Sequence, residues 1–204
     1  MKKIIFITIL LFISCDKKTR AKSVASPKQQ TLKNAMVAPD TVSYNKVNIY
    51  LKSQVPNFIA QDENKKKHQL IDLKNKKNLI LVFFRGYWWP HCRRQLAELS
   101  NIKLPKDTEI WAISNESSIS GSSFKEGAGK TIKFPLLSDK NRKITNIFGL
   151  LDPRYIGSGK EGIPYASTYI INKKGVVLFA HIGLDYTKRP SVQKLLSILP
   201  KWKN

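Results

Sequence analysis

The sequence predicts an α/β protein: a three-layer sandwich with a mixed central β-sheet flanked by helices. Three observations carry that expectation. Asn78 to Phe84 is a short, nearly continuous run of apolar residues rich in branched and aromatic side chains, the pattern of a strand buried on both faces. Strand-like and helix-like segments alternate after it, as parallel strands joined by crossover helices require. The chain then closes on two β-rich runs around Lys173-Lys174-Gly175 and an amphipathic segment, which reads as a hairpin and a final helix. With 42% apolar and 10% aromatic residues in 204, one sizeable core forms without help from disulfides or metals.

Taken in order, the first elements are not part of the fold. Lys2 and Lys3 precede an uncharged apolar run from Ile4 to Ser14, too short to cross a bilayer as a stable helix. The run ends at Ser14-Cys15, which resembles the lipobox of bacterial lipoproteins, although Phe12 stands where Leu or Val is usual three places before the cysteine. Residues 1–14 are therefore expected to be a lipoprotein signal peptide and Cys15 the lipidated first residue of the mature chain. An ordinary signal peptide cut elsewhere is the alternative, and either way the protein leaves the cytoplasm. The expected location is a bacterial cell envelope, membrane-anchored and facing the periplasm. Residues 15–46 are Lys, Ser, Gln, Thr and Asn with scattered Ala and Pro, without sustained periodicity, and read as a flexible tether. Cys15 and Cys92 are the only cysteines, so lipidation at Cys15 leaves Cys92 as the sole free thiol and excludes an internal disulfide.

A single domain over residues 47–204 follows. The turn at Arg85 to Trp89 leads from the buried strand to Pro90, which suits a first helical turn, and Leu96, Leu99 and Ile102 recur at helical spacing. A helix thus starts at or near Cys92. Thr108 to Ser114 reads as a second parallel strand and Arg142 to Phe148 as a helix. Ser167 to Asn172 and Val176 to Ile182 form the hairpin, and Ser191 to Leu199 the last helix.

The 36 Lys and Arg against 14 Asp and Glu give a net charge of +22. Much of the excess is Lys in short polar stretches, such as Lys65 to Lys67 and Lys74 to Lys77, which reads as solvated loop surface. No stripe of arginines and aromatics accompanies it, so no nucleic-acid partner is expected, whereas attraction to anionic lipid stays open. Gly127-Ala128-Gly129-Lys130-Thr131 imitates the end of a phosphate-binding loop, but the earlier glycine that loop needs falls at Phe124 and no helix start follows. His68, His91 and His181 lie far apart without ligand-like spacing, so neither a metal nor a cofactor is expected.

Chemistry concentrates at Cys92. A cysteine in the first turn of a helix sees unpaired backbone N–H groups and the positive end of the dipole, which favour the thiolate, and Arg93 and Arg94 push the same way. Thiolate is the form that attacks a peroxide oxygen or a disulfide sulfur. His91 reads as a surface neighbour able to donate a proton. Trp88 and Trp89 read as packing or rim residues, one of them exposed near Cys92, and Arg85 and Gly86 as structural residues of the turn.

The segment from Leu81 to Leu96 (Leu-Val-Phe-Phe-Arg-Gly-Tyr-Trp-Trp-Pro-His-Cys-Arg-Arg-Gln-Leu) resembles the active-site stretch of peroxiredoxin-like proteins of the AhpC/TSA (redoxin) group, where strand, Arg-Gly, aromatic, Cys-Pro-x-Cys and helix follow in that order. Val55-Pro56-Asn57-Phe58 resembles that family's opening, Ile163 to Asn172 its loop and strand facing the site, and Phe179 to Thr187 its end of domain. The resemblance spans Val47 to Leu199 and implies a thioredoxin-like fold with Cys92 as the catalytic thiol. Two positions depart from the family. Trp89 occupies the place of the first cysteine, so a dithiol cycle cannot run within this chain. Trp89 and Ala166 also stand where typical peroxiredoxins carry the Thr or Ser and the Arg that hold and polarise a peroxide, which removes much of that stabilisation. Ala166 further takes the place of the thioredoxin cis-proline, with Pro164 two residues earlier.

The residues leave three readings. The first is a membrane-tethered antioxidant or redox protein of the peroxiredoxin-like type. In it, Cys92 attacks peroxide or disulfide and an external thiol restores it. The second is a redox-inactive thioredoxin-fold module that binds a protein partner through the aromatic rim at Trp88 and Trp89. The third is a basic envelope protein held electrostatically to lipid. The Lys2-Lys3 start, the short apolar run and Ser14 together predict that mass spectrometry of the membrane fraction finds the mature chain beginning at a lipid-modified Cys15; an unmodified Cys15 there contradicts the tether.

Overall fold

A computed structural model describes residues 47–199; the signal segment, Cys15 and the tether lie outside the described residues. The elements in chain order are β1 (Ile59–Gln61), β2 (Lys67–Gln69), a 3-10 turn (Leu70–Leu73), β3 (Asn78–Phe83), α1 (Pro90–Ser100), β4 (Thr108–Ser114), α2 (Ser118–Glu126), β5 (Leu136–Ser138), α3 (Lys143–Phe148), a second 3-10 turn (Pro153–Tyr155), β6 (Ser167–Ile171), β7 (Val177–His181) and α4 (Val192–Ile198). The strands form one mixed sheet in the order β2-β1-β5-β4-β3-β6-β7. β3 pairs parallel with β4 and antiparallel with β6, β4 pairs parallel with β5, and β6–β7 is the antiparallel hairpin.

β3 lies inside the sheet between β4 and β6, and every one of its residues is buried. Successive strand residues point to opposite faces, and the two core clusters follow that alternation. Leu79, Leu81 and Phe83 join Trp111, Ile113, Tyr169 and Ile171 on one face, beneath Ile144 and Phe148 of α3. Ile80, Val82 and Phe84 join Ile110, Ala112 and Ile170 on the other, beneath Cys92, Leu96 and Leu99 of α1 and Leu195 of α4. This is the predicted three-layer arrangement, and it fixes α1 and α4 side by side on the face that carries Cys92.

The strong periodic runs agree with the expected elements to within a residue or two, β4 over its full length. Four further elements lacked a sequence pattern. β1 and β2 are three residues each. α2 is a serine-rich stretch started by Ser117, whose hydroxyl accepts from Ser120 N at 3.1 Å. β5 is anchored by a buried carboxylate: Leu136 N donates to Glu63 Oε2 at 2.9 Å, and Lys125 pairs with the other oxygen. Gly127 caps α2, and the strand β5 rather than a helix follows Thr131, so the glycine run there is a helix terminus.

His181 ends β7 on the site-bearing part of the fold. It is buried, its Nε2 has no hydrogen-bond partner, and burial together with the Arg189 cation holds its imidazole below the usual histidine range. The unfolded chain therefore takes up the proton first as pH falls, and stability is lost as pH drops through about 6.5. Urea unfolding is expected to show that the wild type loses stability between about pH 7 and pH 5 and that His181→Phe has a shallower slope across that window; identical slopes contradict this account.

Candidate functional site

The site grows out of the carboxyl end of β3. Phe84 N donates to Ile113 O at 2.9 Å and prolongs the parallel ladder by one residue, after which the chain turns. Gly86 makes the turn at φ +153, and a Cβ there would collide with the Trp88 indole nitrogen and come within 2.8 Å of Glu116 Oε1. Trp89 is the N-cap of α1, extended at φ −91 and ψ 116, with no side-chain cap, and Pro90 follows as the first helical residue. The Trp89 carbonyl instead receives Cys92 N at 3.0 Å and Arg93 N at 3.1 Å. The residue that opens this helical turn, three places before Cys92, is thus an indole-bearing one.

Cys92 is fully buried beneath this turn. Its sulfur accepts a hydrogen bond from Arg189 Nη2 at 3.3 Å. Arg189 lies in the segment between β7 and α4 and is held from two sides: Nε donates to Gln95 Oε1 at 3.0 Å and Nη1 to Tyr186 O at 2.9 Å. Gln95, one turn along α1 from Cys92, is itself fixed by Nε2 donating to Thr168 Oγ1 of β6 at 3.2 Å. A guanidinium placed in this way meets the sulfur with a directed positive charge.

A second cation closes the other side. Arg85 is only 4% exposed, and its guanidinium carbon lies 4.4 Å from the Trp89 ring centre, 4.9 Å from Tyr186, and 5.3 Å from each of Trp88 and Tyr155. Burial pushes Arg85 below the usual guanidinium range, and Arg154 and Arg189 push with it, while the Cys92 sulfur and Asp152 oppose. Asp152 is already taken: Arg154 donates from Nε to Oδ1 at 2.8 Å and from Nη2 to Oδ2 at 2.7 Å. Trp89 completes the cover by donating from Nε1 to Tyr186 O at 3.3 Å, edge-on to the Tyr186 ring.

The expected site residues separate accordingly. Cys92 sits in the first turn of α1 under Trp89, and Trp88 is the exposed indole, at 47%. Ala166 is buried immediately before β6, with its carbonyl so close to Gly183 that no side chain fits there. His91 Nδ1 accepts from Arg94 Nη2 at 2.8 Å at the surface. Arg93 and Arg94 are exposed on the outer side of α1. The cations that face the sulfur are Arg85, which the sequence suggested as a structural residue, and Arg189, which no sequence pattern marked. Arg189 follows the Asp185-Tyr186-Thr187 stretch by two residues in a loop, where spacing carries no information about direction.

The AhpC/TSA family profile matches residues 51–180, most of the described chain. The thiol-disulfide oxidoreductase ResA of Bacillus anthracis is 28% identical over 160 residues, covering 76% of this chain and 83% of that relative. Among solved structures, peroxidoxin BcpB from Mycobacterium tuberculosis superposes with a TM-score of 0.58 at 20% identity, covering 67% of this chain and 87% of that one. A peroxiredoxin-like protein from Aquifex aeolicus gives 0.63 at 13% identity, with 74% and 85% covered. The mixed sheet with helices on both faces is accordingly a thioredoxin-like fold.

The turn before Cys92 generates a test of the position that Trp89 fills. Trp89→Cys is expected to form an internal disulfide with Cys92 under mild oxidant, because the Cys92 N to Trp89 O bond keeps the two residues at the spacing of a helical first turn. Reduced, the variant should lose about 1–3 kcal/mol of stability with the indole's packing on Arg85 and Tyr186. Thiol titration checks it: two persistently free thiols after oxidation show that the turn no longer holds the family's geometry.

Proposed function

Because the chain belongs to the AhpC/TSA family, we propose that it is a thiol redox protein of the cell envelope, tethered through Cys15, in which Cys92 is the single reacting thiol. The observation that carries this reading is the Arg189 Nη2 to Cys92 Sγ hydrogen bond at 3.3 Å, in the first turn of a helix. A thiol kept only for packing needs no guanidinium aimed at it by a relay from Gln95 and Thr168.

The step is a thiol–disulfide exchange. The Cys92 thiolate attacks one sulfur of a substrate disulfide, the S–S bond breaks, and the departing thiolate takes a proton. The resulting mixed disulfide is then cleaved by an external thiol, because no second cysteine stands beside Cys92. Arg189 stabilises the thiolate before attack and again when Cys92 is released. A disulfide is favoured over a peroxide as substrate, since Trp89 and Ala166 replace the groups that would polarise a peroxide. The similarity to a thiol-disulfide oxidoreductase points the same way. With the sulfur buried, attack requires the cover of Trp89 and Tyr186 to part, a loop and side-chain motion of the kind that gates many sites.

Turnover of a small disulfide with excess external thiol tests the reading. Cys92→Ser is expected to abolish it. Arg189→Ala should lower kcat/KM by about 10- to 100-fold, the worth of one hydrogen bond to a charged group, with Arg189→Lys recovering part of the loss. Turnover that survives Cys92→Ser overturns the proposal, and so does a wild-type chain that neither turns over nor forms a mixed disulfide, which would make it a binding module.

A further inference from the structure

Arg85 has an unmet chemical requirement. Among the described residues its Nε and Nη1 are buried without any hydrogen-bond partner and no carboxylate pairs with it, since Asp152 is fully engaged by Arg154. The surrounding ring faces attract its charge but offer no acceptor in the plane of the guanidinium fork. A buried cation left in that condition is costly unless something of opposite charge reaches it.

A cleft provides the route. A cavity of about 510 Å³ opens beside the site and is lined by Arg85, Trp88, Asn115, Glu116 and Lys160 among others. Lys160 lies at its rim with Nζ 5.8 Å from the Trp88 ring centre. Glu116 is half-buried, and its carboxylate makes no hydrogen bond or ion pair among the described residues, with Oε1 lying over Gly86. Glu161, also on the wall, is occupied by its own loop, accepting from Gly159 N at 3.1 Å. The cleft therefore offers, around a single exposed indole, a buried guanidinium without an acceptor, the Lys160 ammonium beside it and one carboxylate without a partner, which suits a ligand that carries both carboxylate and ammonium groups. Cys92 is adjacent, close enough that its sulfur acts on the charge of Arg85, and the two indoles that separate cleft from thiol are 5.6 Å apart between ring centres.

We propose that this cleft binds the α-amino-acid end of a low-molecular-weight thiol or its disulfide, with the carboxylate on the Arg85 fork and the ammonium at Glu116. The proposal rests on Cys92 as the reacting thiol and names the kind of molecule it exchanges with. A carboxylate supplies the in-plane acceptor that this guanidinium lacks, at the edge carrying Nε or at the end carrying Nη1, once the overlying rings shift to expose it. The amino-acid end would then anchor the molecule on the Trp88 side while its sulfur lies toward the Trp89 cover.

Equilibrium binding to the full-length chain carrying Cys92→Ser, followed by the change in indole fluorescence, separates recognition from reaction. Glutathione disulfide is expected to bind saturably. Cystamine, which lacks carboxylates, and dithiodiglycolate, which lacks ammonium groups, should each bind at least tenfold more weakly. Arg85→Met should weaken glutathione disulfide at least tenfold, and Glu116→Gln should weaken it while leaving dithiodiglycolate unchanged or tighter. If Arg85→Met does not fold, the surface variant Glu116→Gln and the three-probe series decide alone. Absence of saturable binding up to about 10 mM glutathione disulfide, equal binding of cystamine, or undiminished binding to folded Arg85→Met overturns the proposal. Binding without turnover in the wild type would sink the redox reading and leave the zwitterion site standing; turnover without binding would do the reverse.

Discussion

A strand buried on both faces can place polar groups only at its ends, and that constraint shapes this molecule. β3 has no exposed residue, and it hands the chain directly to Arg85. The guanidinium arrives at the top of the sheet with the strand's direction already fixed by pairing to β4 and β6. Little of it is exposed, and the following residues fold over it. Gly86 permits the reversal, Trp88 and Trp89 lay rings beside the charge, and the Trp89 carbonyl starts α1 with Cys92 in its first turn. The thiol is where it is because the cation beneath the turn is where it is.

The same place gathers more positive charge than it neutralises. Arg154 and Arg189 both repel Arg85, and the carboxylate that acts on it, Asp152, belongs to Arg154. Such an arrangement is unfavourable for folding in isolation, and proteins keep unfavourable charge mainly where activity uses it. The cost is limited by weakly hydrated guanidinium groups and by aromatic faces, which tolerate each other's proximity better than ammonium groups would. His181, held neutral partly by Arg189, spares the cluster a further cation.

How much of this the sequence revealed follows from the range of the forces involved. β3, β4, α1 and the hairpin were legible because each buries a periodic apolar set, and periodicity is written locally. β1, β2 and β5 were not, because three-residue strands gain their stability from distant partners, such as the Glu63 carboxylate that fixes Leu136 N. Cys92 was legible as a residue of the first turn of α1, because Pro90 and the leucine spacing mark where that helix starts. The two cations that act on the sulfur were misread or unseen: Arg93 and Arg94 neighbour Cys92 in sequence but point outward, and Arg189 arrives from a loop 97 residues away. A helix turns adjacent residues to different sides, so nearness along the chain is a poor guide to which charges face a buried atom.

An indole rather than a cysteine three residues before Cys92 leaves that thiol without a neighbouring partner. A dithiol protein releases its substrate by an internal attack and needs no specific recognition of the second thiol. A single-thiol protein must let an outside thiol reach the mixed disulfide, and random encounter with a fully buried sulfur is slow. Recognition near the sulfur would do for a single thiol what a neighbouring cysteine does in a dithiol protein, by raising the local concentration of the incoming thiol. The Trp89 indole is also the one stacked closest to Arg85, at 4.4 Å. Engagement of Arg85 by a carboxylate would weaken the hold of that cation on the Trp89 ring, and the cover over Cys92 would loosen when the incoming molecule is in place to use the opening.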